Sequence, residues 1–187
     1  MVEIPNNIFV LCTGRCGSTT LARACAHFDN YTCEHEGRSH LTGTARFDFP
    51  QRHIEIDNRL SWLLGRLDRH WGDAAFYVHL TRDREAVAQS FAKRAGQGIL
   101  KAYRHDILMK APRLSADTPL IDFCRDYVDT VTENIHLFLR DKTHVMGMTL
   151  ETLGPDFNQF CDRIGATGDL DAARTTLSQR HNPSRPS

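Results

Sequence analysis

The feature that most constrains the fold is a continuous apolar run at residues 8–12, which is followed at once by a turn containing two glycines. A short apolar run of this kind is typical of a strand that is buried on both faces. Beyond the turn, residues 18–27 are predicted to form a helix. A strand, a tight turn and a helix in succession predict the first unit of an α/β fold.

Strands and helices continue to alternate along the chain. Further strands are predicted at residues 30–33, 75–81 and 145–149, and helices at residues 56–72, 83–95, 119–138, 154–164 and 169–179. Residues 34–51 and 96–116 show no clear period and are predicted to be irregular. Because strands that alternate with helices form parallel sheets, we predict a three-layer α/β/α fold of the P-loop nucleotide-binding type with a central, mainly parallel sheet. The length of 187 residues favours one domain over residues 1–187.

Composition argues against several classes of protein. The 23 basic and 23 acidic side chains cancel, so no overall positive field is expected to attract nucleic acid or an anionic membrane. No apolar run approaches the roughly 20 residues of a membrane span, and the first ten residues do not resemble a signal peptide. Six cysteines without CxxC pairs and ten histidines without HxH or HExxH spacing favour free thiols and no bound metal. We therefore expect a cytoplasmic protein.

The turn after the first strand has the composition of an anion-binding loop. It consists of Thr13, Gly14, Arg15, Cys16, Gly17, Ser18, Thr19 and Thr20. Backbone N–H groups and the dipole of the following helix converge at such a turn, the glycines allow a close approach, and the hydroxyls and the guanidinium bind oxygens. The lysine that the nucleotide triphosphatase loop requires after its second glycine is replaced by Ser18. Glycine-rich turns also connect strands to helices without binding any ligand.

A second candidate segment begins at the predicted strand over residues 75–81. Arg82 follows the strand directly, and Ser90 lies eight residues further, about two turns into the next helix. In an open parallel sheet, ligands bind beyond the carboxyl ends of the strands. We therefore expect Arg82 and the first loop to face the same crevice.

The two segments together resemble those of the sulfotransferase family, which combines a loop of the form [KR]-x-G-[ST]-T with a later R-x7-S element. Both stand in this chain, from Arg15 to Thr19 and from Arg82 to Ser90. The resemblance implies that the protein binds 3'-phosphoadenosine-5'-phosphosulfate (PAPS) without a metal, the loop holding the 5'-phosphosulfate and the second element holding the 3'-phosphate. It also implies that Arg15 stabilises charge on the leaving phosphate oxygen.

Weaker resemblances to the same family follow towards the end of the chain. Residues 148–153 are similar to the family's strand that ends in Glu-x-Leu, and residues 181–184 are similar to an Asn-x-Ser stretch. By the same resemblance, Arg180 and Arg185 are expected to close over the 3'-phosphate, although a frayed terminus is an equal alternative.

The general base is expected in residues 33–38, just past the second predicted strand. The segment is similar to the acidic segment of the Golgi-type members, and counting from Arg15 favours Glu36 over Glu34. His35 is a third candidate, since cytosolic members use a histidine and the ordinary pKa of that residue type is near 6.5. A solvated loop without a catalytic role is the alternative. The acceptor is expected to be a hydroxyl or amine of a small molecule, a carbohydrate or a lipid.

Two other functions remain open at this point. A P-loop small-molecule kinase shares the strand, the loop and the helix, but the missing lysine after Gly17 argues against it. A non-catalytic nucleotide-binding protein of the same fold is the second alternative. The joint presence of Arg15, Arg82 and Ser90 argues against a loss of the chemistry.

Overall fold

The structure is a computed structural model that describes residues 4–94, 96–108 and 118–179. Its centre is a sheet of five parallel strands in the order β2-β3-β1-β4-β5. The strands are β1 (Asn7–Leu11), β2 (Thr32–His35), β3 (His53–Ile56), β4 (Phe76–Thr81) and β5 (Val145–Thr149). The predicted three-layer fold with a parallel sheet is confirmed.

Helices cover both faces of the sheet. They are α1 (Ser18–Cys25), α2 (Leu64–Trp71), α3 (Arg84–Ala92), α4 (Gly98–Ala102), α5 (Leu120–Leu139), α6 (Leu153–Ile164) and α7 (Leu170–Ser178). Short 3-10 turns stand at Gly43–Arg46, Asn58–Trp62 and Leu150–Thr152, and a π-helical turn stands at Tyr103–Ile107. None of the described helices is long and apolar enough to cross a membrane.

The central strand β1 shows how the two cores are divided. Its five residues are all buried, and side chains alternate between the faces of a strand. Ile8 and Val10 join the core formed with α1, α6 and α7. Phe9 and Leu11 join the core formed with α2, α3 and α5. A strand covered on both faces has no solvated side, which explains why residues 8–11 are all apolar.

The segment between residues 51 and 72 differs from the prediction of one helix over residues 56–72. Residue 56 ends strand β3, residues 58–62 form a 3-10 turn, and only Leu64–Trp71 is α-helical. Strand β3 was not predicted because His53 and Glu55 interrupt its apolar pattern, yet both side chains are buried. The predicted irregular stretch over residues 96–116 also contains α4 and the π-helical turn in its described part.

The order of the strands places a topological switch beside β1. From β1 the chain moves first to β2 and β3 on one side, and then to β4 and β5 on the other. The β1–β4 pair extends to Leu11 and His79, so the segments that follow these two strands emerge next to each other. Ligands of open α/β sheets bind in the crevice at such a switch point.

Candidate active site

The loop between β1 and α1 is built from left-handed backbone conformations. Gly14, Arg15 and Gly17 have φ angles of 84°, 63° and 92°, and Gly17 is the N-cap of α1. A Cβ atom at Gly14 would lie 2.7 Å from Asn58 Nδ2, and one at Gly17 would lie 2.7 Å from Leu150 Cδ1. The glycines therefore allow both the sharp turn and the close packing of the loop between its neighbours.

Arg15 connects this loop to helix α3. Its Nε atom donates a hydrogen bond of 3.0 Å to Ser90 Oγ. Burial lowers the pKa of Arg15, and the positive charges of Arg94 and Arg82 lower it further. Arginines stay protonated in proteins, so these three positive charges repel one another. A region with such a concentration of positive charge attracts an anion.

Arg82 lies on the same side of the molecule. It directly follows β4, and its Nη1 atom donates to the backbone carbonyl oxygen of Arg15 over 3.3 Å. Ser90 is buried and lies on α3, the helix that begins two residues after Arg82. The structure thus brings Arg15, Arg82 and Ser90 together, as expected from the carboxyl ends of neighbouring parallel strands.

These side chains open onto a cavity of about 680 Å³. Its lining comprises Arg15, Gly17, Ser18, Thr19 and Thr20 from the loop and α1, Arg82, Ala86, Gln89, Ser90 and Lys93 from β4 and α3, Leu150, Glu151, Leu153 and Gly154 after β5, and Leu177, Ser178 and Gln179 at the end of α7. The cavity therefore combines three cations, several hydroxyl groups, a helix N-terminus and an apolar wall.

Three of the predicted loop residues form the loop without lining the cavity. Thr13 Oγ1 donates to the carbonyl oxygen of Gly14, and Tyr127 Oη donates to the carbonyl oxygen of Thr13. Cys16 is fully buried. Sequence reasoning missed Lys93 and Gln89, although the helical spacing of three to four residues that relates Ala86, Ser90 and Lys93 indicates a shared face.

The three candidates for the general base are consecutive residues whose side chains have different surroundings, and Glu34 and His35 lie on β2 and not after it as predicted. The Nε2 atom of His35 is 3.1 Å from Ser18 Oγ, which places this imidazole beside the anion loop. Glu36 has a left-handed backbone and forms an ion pair with Arg59. Glu34 precedes His35 on β2 and therefore points to the opposite face of the sheet. All three lie outside the described lining of the cavity.

Glu151 forms hydrogen bonds with both the end of β5 and the residue before α3. Its Oε1 atom accepts from the backbone N–H of Asp83 at 3.0 Å, and its Oε2 atom accepts from Thr149 Oγ1 at 2.6 Å. The predicted Glu-x-Leu element thus borders the cavity beside Arg82. Arg180, Arg185 and residues 181–184 lie outside the described residues.

Comparison with solved structures identifies the fold. A sulfotransferase domain from the curacin biosynthetic pathway superposes with a TM-score of 0.64 at 13% identity, over 96% of this chain and 80% of that one. A mouse sulfotransferase, SULT7A1 complexed with PAP, gives a TM-score of 0.57 at 11% identity. The chain has the sulfotransferase fold.

The match with the mouse sulfotransferase covers different fractions of the two chains. The match takes in 92% of the present chain and 65% of the mouse enzyme, so this chain spans less than two thirds of its length. No protein-family model matches the sequence, and a search of curated proteins finds no match. The sulfotransferase fold was predicted from two short motifs, and the structural comparison confirms it without help from overall sequence identity.

Proposed function

We propose that the protein transfers the sulfuryl group of PAPS to a hydroxyl or amine of a small-molecule, carbohydrate or lipid acceptor. One observation carries the proposal: two arginines from the ends of neighbouring strands, Arg15 and Arg82, line one cavity together with Ser90. A nucleotide with phosphate groups at two positions needs two such cationic points. Mouse SULT7A1, which shares the fold, was solved with PAP.

The residues fit the two ends of this nucleotide. Residues 13–20 supply backbone N–H groups and the hydroxyls of Ser18, Thr19 and Thr20 for the 5'-phosphosulfate. Arg82 and Ser90 supply a guanidinium and a hydroxyl for the 3'-phosphate. A cavity of about 680 Å³ is within the range of nucleotide-sized sites. Arg185 belongs to the same proposal through the family resemblance alone.

Arg15 is proposed to be the electrostatic catalyst. When bound, PAPS supplies the sulfuryl group and a phosphate oxygen that becomes negatively charged as the bond breaks. The guanidinium of Arg15 lies in the loop that is proposed to hold this oxygen, and it cannot act as an acid because it does not lose its proton. Its role is therefore to stabilise developing charge, the largest single contribution in many enzymes.

We assign the removal of the acceptor proton to His35 ahead of Glu36. The imidazole of His35 is in contact with Ser18, a hydroxyl of the proposed phosphosulfate site. The carboxylate of Glu36 is already engaged in an ion pair with Arg59. Glu34 faces the other side of the sheet and takes no part in this assignment.

Ligand binding tests the proposal against its two rivals. We expect adenosine 3',5'-bisphosphate to raise the melting temperature of the full chain without magnesium, and to do so more than Mg-ATP. A stronger response to Mg-ATP would favour a kinase. Transfer from labelled PAPS to a panel of acceptors then separates an enzyme from a non-catalytic nucleotide-binding protein, which would bind the bisphosphate and transfer nothing.

We also propose that residues 1–187 fold as one cytoplasmic domain. All six cysteines are free, and five of them are buried, which is typical of a reducing compartment. A single cooperative unfolding transition observed by both circular dichroism and fluorescence is the expected result. Two separate transitions would contradict the single domain.

A further inference from the structure

A second group of titratable side chains lies outside the described lining of the cavity. Glu34 on β2 and His53 and Glu55 on β3 each offer one oxygen or nitrogen atom, and these three atoms all lie within 4.8 Å of one another. We call these three residues the β2–β3 cluster. One imidazole and two carboxylates form a donor set that binds divalent metal ions in many proteins.

The pairing of the two strands creates this cluster. Glu34 is the register partner of Glu55, so the two side chains stand side by side on one face of the sheet. His53 lies two residues before Glu55 and shares the same face. The arrangement therefore depends on regular backbone geometry and not on the conformation of a loop.

The two carboxylates of the cluster favour the binding of a cation. Glu55 is fully buried, with the carboxyl group of Asp57 nearby. Glu34 is exposed, yet its carboxylate turns back over the backbone, so that a Cβ atom added at Gly37 would overlap Glu34 Oε2. Among the described residues, neither glutamate forms an ion pair with a lysine or an arginine. Two adjacent carboxylates without a cation repel each other.

Outer contacts hold the donor atoms in place. The Nδ1 atom of His53 is 2.8 Å from Thr32 Oγ1, which leaves Nε2 directed towards Glu55 Oε2 at 3.2 Å. The Oε1 atom of Glu55 accepts from the backbone N–H of Gly37 at 2.9 Å. Ligating imidazoles and carboxylates are commonly oriented by such second hydrogen bonds.

We propose that the β2–β3 cluster binds one divalent transition-metal ion of the Zn²⁺ class through Glu34, His53 and Glu55. The ion supplies the positive charge that the two carboxylates lack, and the exposed position of Glu34 gives it a route from solvent. Three protein ligands and a solvent molecule complete a tetrahedral shell.

The position of the ion gives it a structural role near the proposed active site. Gly37, whose N–H donates to Glu55, directly follows Glu36, and the N–H of Glu36 donates to the carbonyl oxygen of Ile56. A bound ion would therefore stiffen the turn that follows His35. This consequence rests on the proposed function, whereas metal binding itself does not.

Isothermal titration of the EDTA-dialysed full chain with ZnCl₂ tests the proposal. We expect one saturable site, and we expect Glu34→Gln to weaken it at least about 10-fold. Glu34 is exposed, so this variant is expected to fold even if His53→Gln does not. The control is Glu133→Gln, an exposed glutamate of α5, which should bind Zn²⁺ as the wild type does.

Several results would overturn the metal site. They are the absence of saturable binding, equal affinity in Glu34→Gln and the wild type, and equal affinity for Mg²⁺ and Zn²⁺, which would exclude a role for the imidazole. Binding of adenosine 3',5'-bisphosphate is measured on the same samples without Zn²⁺, so a failed metal site and a failed nucleotide site give separate results.

Discussion

The Nε atom of Arg15 donates a hydrogen bond of 3.0 Å to the hydroxyl of Ser90, a residue 75 positions further along the chain. This bond joins the loop after β1 to helix α3, and both residues line the cavity. It links the two segments that are proposed to bind the two ends of one nucleotide. Changes at either segment therefore have distinct expected effects on binding and on transfer.

Replacing Arg15 by alanine is expected to lower kcat by about 10²- to 10³-fold, because the developing charge on the leaving oxygen loses its stabilising partner. The melting temperature should change little, since loop side chains contribute less to stability than core side chains. Steady-state kinetics with labelled PAPS and a thermal scan measure the two effects. Arg69→Ala on the exposed side of α2 is the control. Full activity in Arg15→Ala would remove Arg15 from the mechanism.

Replacing Arg82 by alanine should act on one end of the nucleotide only. We expect the Kd for adenosine 3',5'-bisphosphate to rise about 10- to 100-fold, the usual effect of losing a charge-assisted hydrogen bond. Adenosine 5'-phosphosulfate, which has no 3'-phosphate, should bind equally to the variant and the wild type. Calorimetric titration measures both ligands. Arg84→Ala, which removes a surface ion pair with Asp129, is the matched control.

Two variants separate the candidates for the general base. His35→Asn is expected to lower kcat by about 10²- to 10⁴-fold with an acceptor found by screening, while the Kd for adenosine 3',5'-bisphosphate stays within a factor of a few. Glu36→Gln should have a smaller effect on kcat, because its carboxylate is held by Arg59. The reverse order of the two effects would assign the base to Glu36.

Acid is expected to destabilise the protein through a buried histidine. Burial, with a smaller effect of His136, lowers the pKa of His79 to about 4. The unfolded chain then binds more protons than the folded one between about pH 6.5 and pH 4, so stability falls as the pH falls through this window. The loss reaches about 3 kcal/mol once the pH has fallen below the pKa of the folded state.

The measurement is the free energy of unfolding in urea at several pH values from 7 to 4. His79→Leu removes the titrating group, so its stability should depend less on pH across that window. His40→Gln, a change at an exposed histidine, should keep the wild-type dependence. An unchanged slope in His79→Leu would assign the acid sensitivity to other groups.

The predictable parts of the fold follow from two general properties of parallel sheets. Strands β1 and β4 are covered by helices on both faces, and this double burial produces mainly apolar sequences, interrupted in β4 by the buried His79. The meeting of Arg15 and Arg82 followed from the rule that parallel strands end at one edge of the sheet. These two inferences together gave the fold and the centre of the candidate site.

The parts that were missed depend on contacts between distant residues. Strand β3 buries His53 and Glu55, and burial of such polar groups depends on their hydrogen bonds to Thr32 and Gly37, which no local pattern reveals. The wall contributed by Leu177 lies more than 150 residues from the anion loop and is brought to it by the packing of α7 against α1. Lys93 was missed for a different reason, because its helical spacing from Ser90 does indicate a shared face but was not used.

Because β1 pairs directly with β4, the spacing of the two arginine-bearing segments does not depend on the loops around β2 and β3. Neighbouring strands lie about 4.8 Å apart, so the sheet fixes the distance between the starting points of the two arginine-bearing segments. The connections around β2 and β3 lie on the other side of β1. Insertions there can reshape whatever approaches His35 and Glu36 without altering the spacing of Arg15 and Arg82. Under the proposed function, one such scaffold would be able to acquire new acceptors while its nucleotide stays the same.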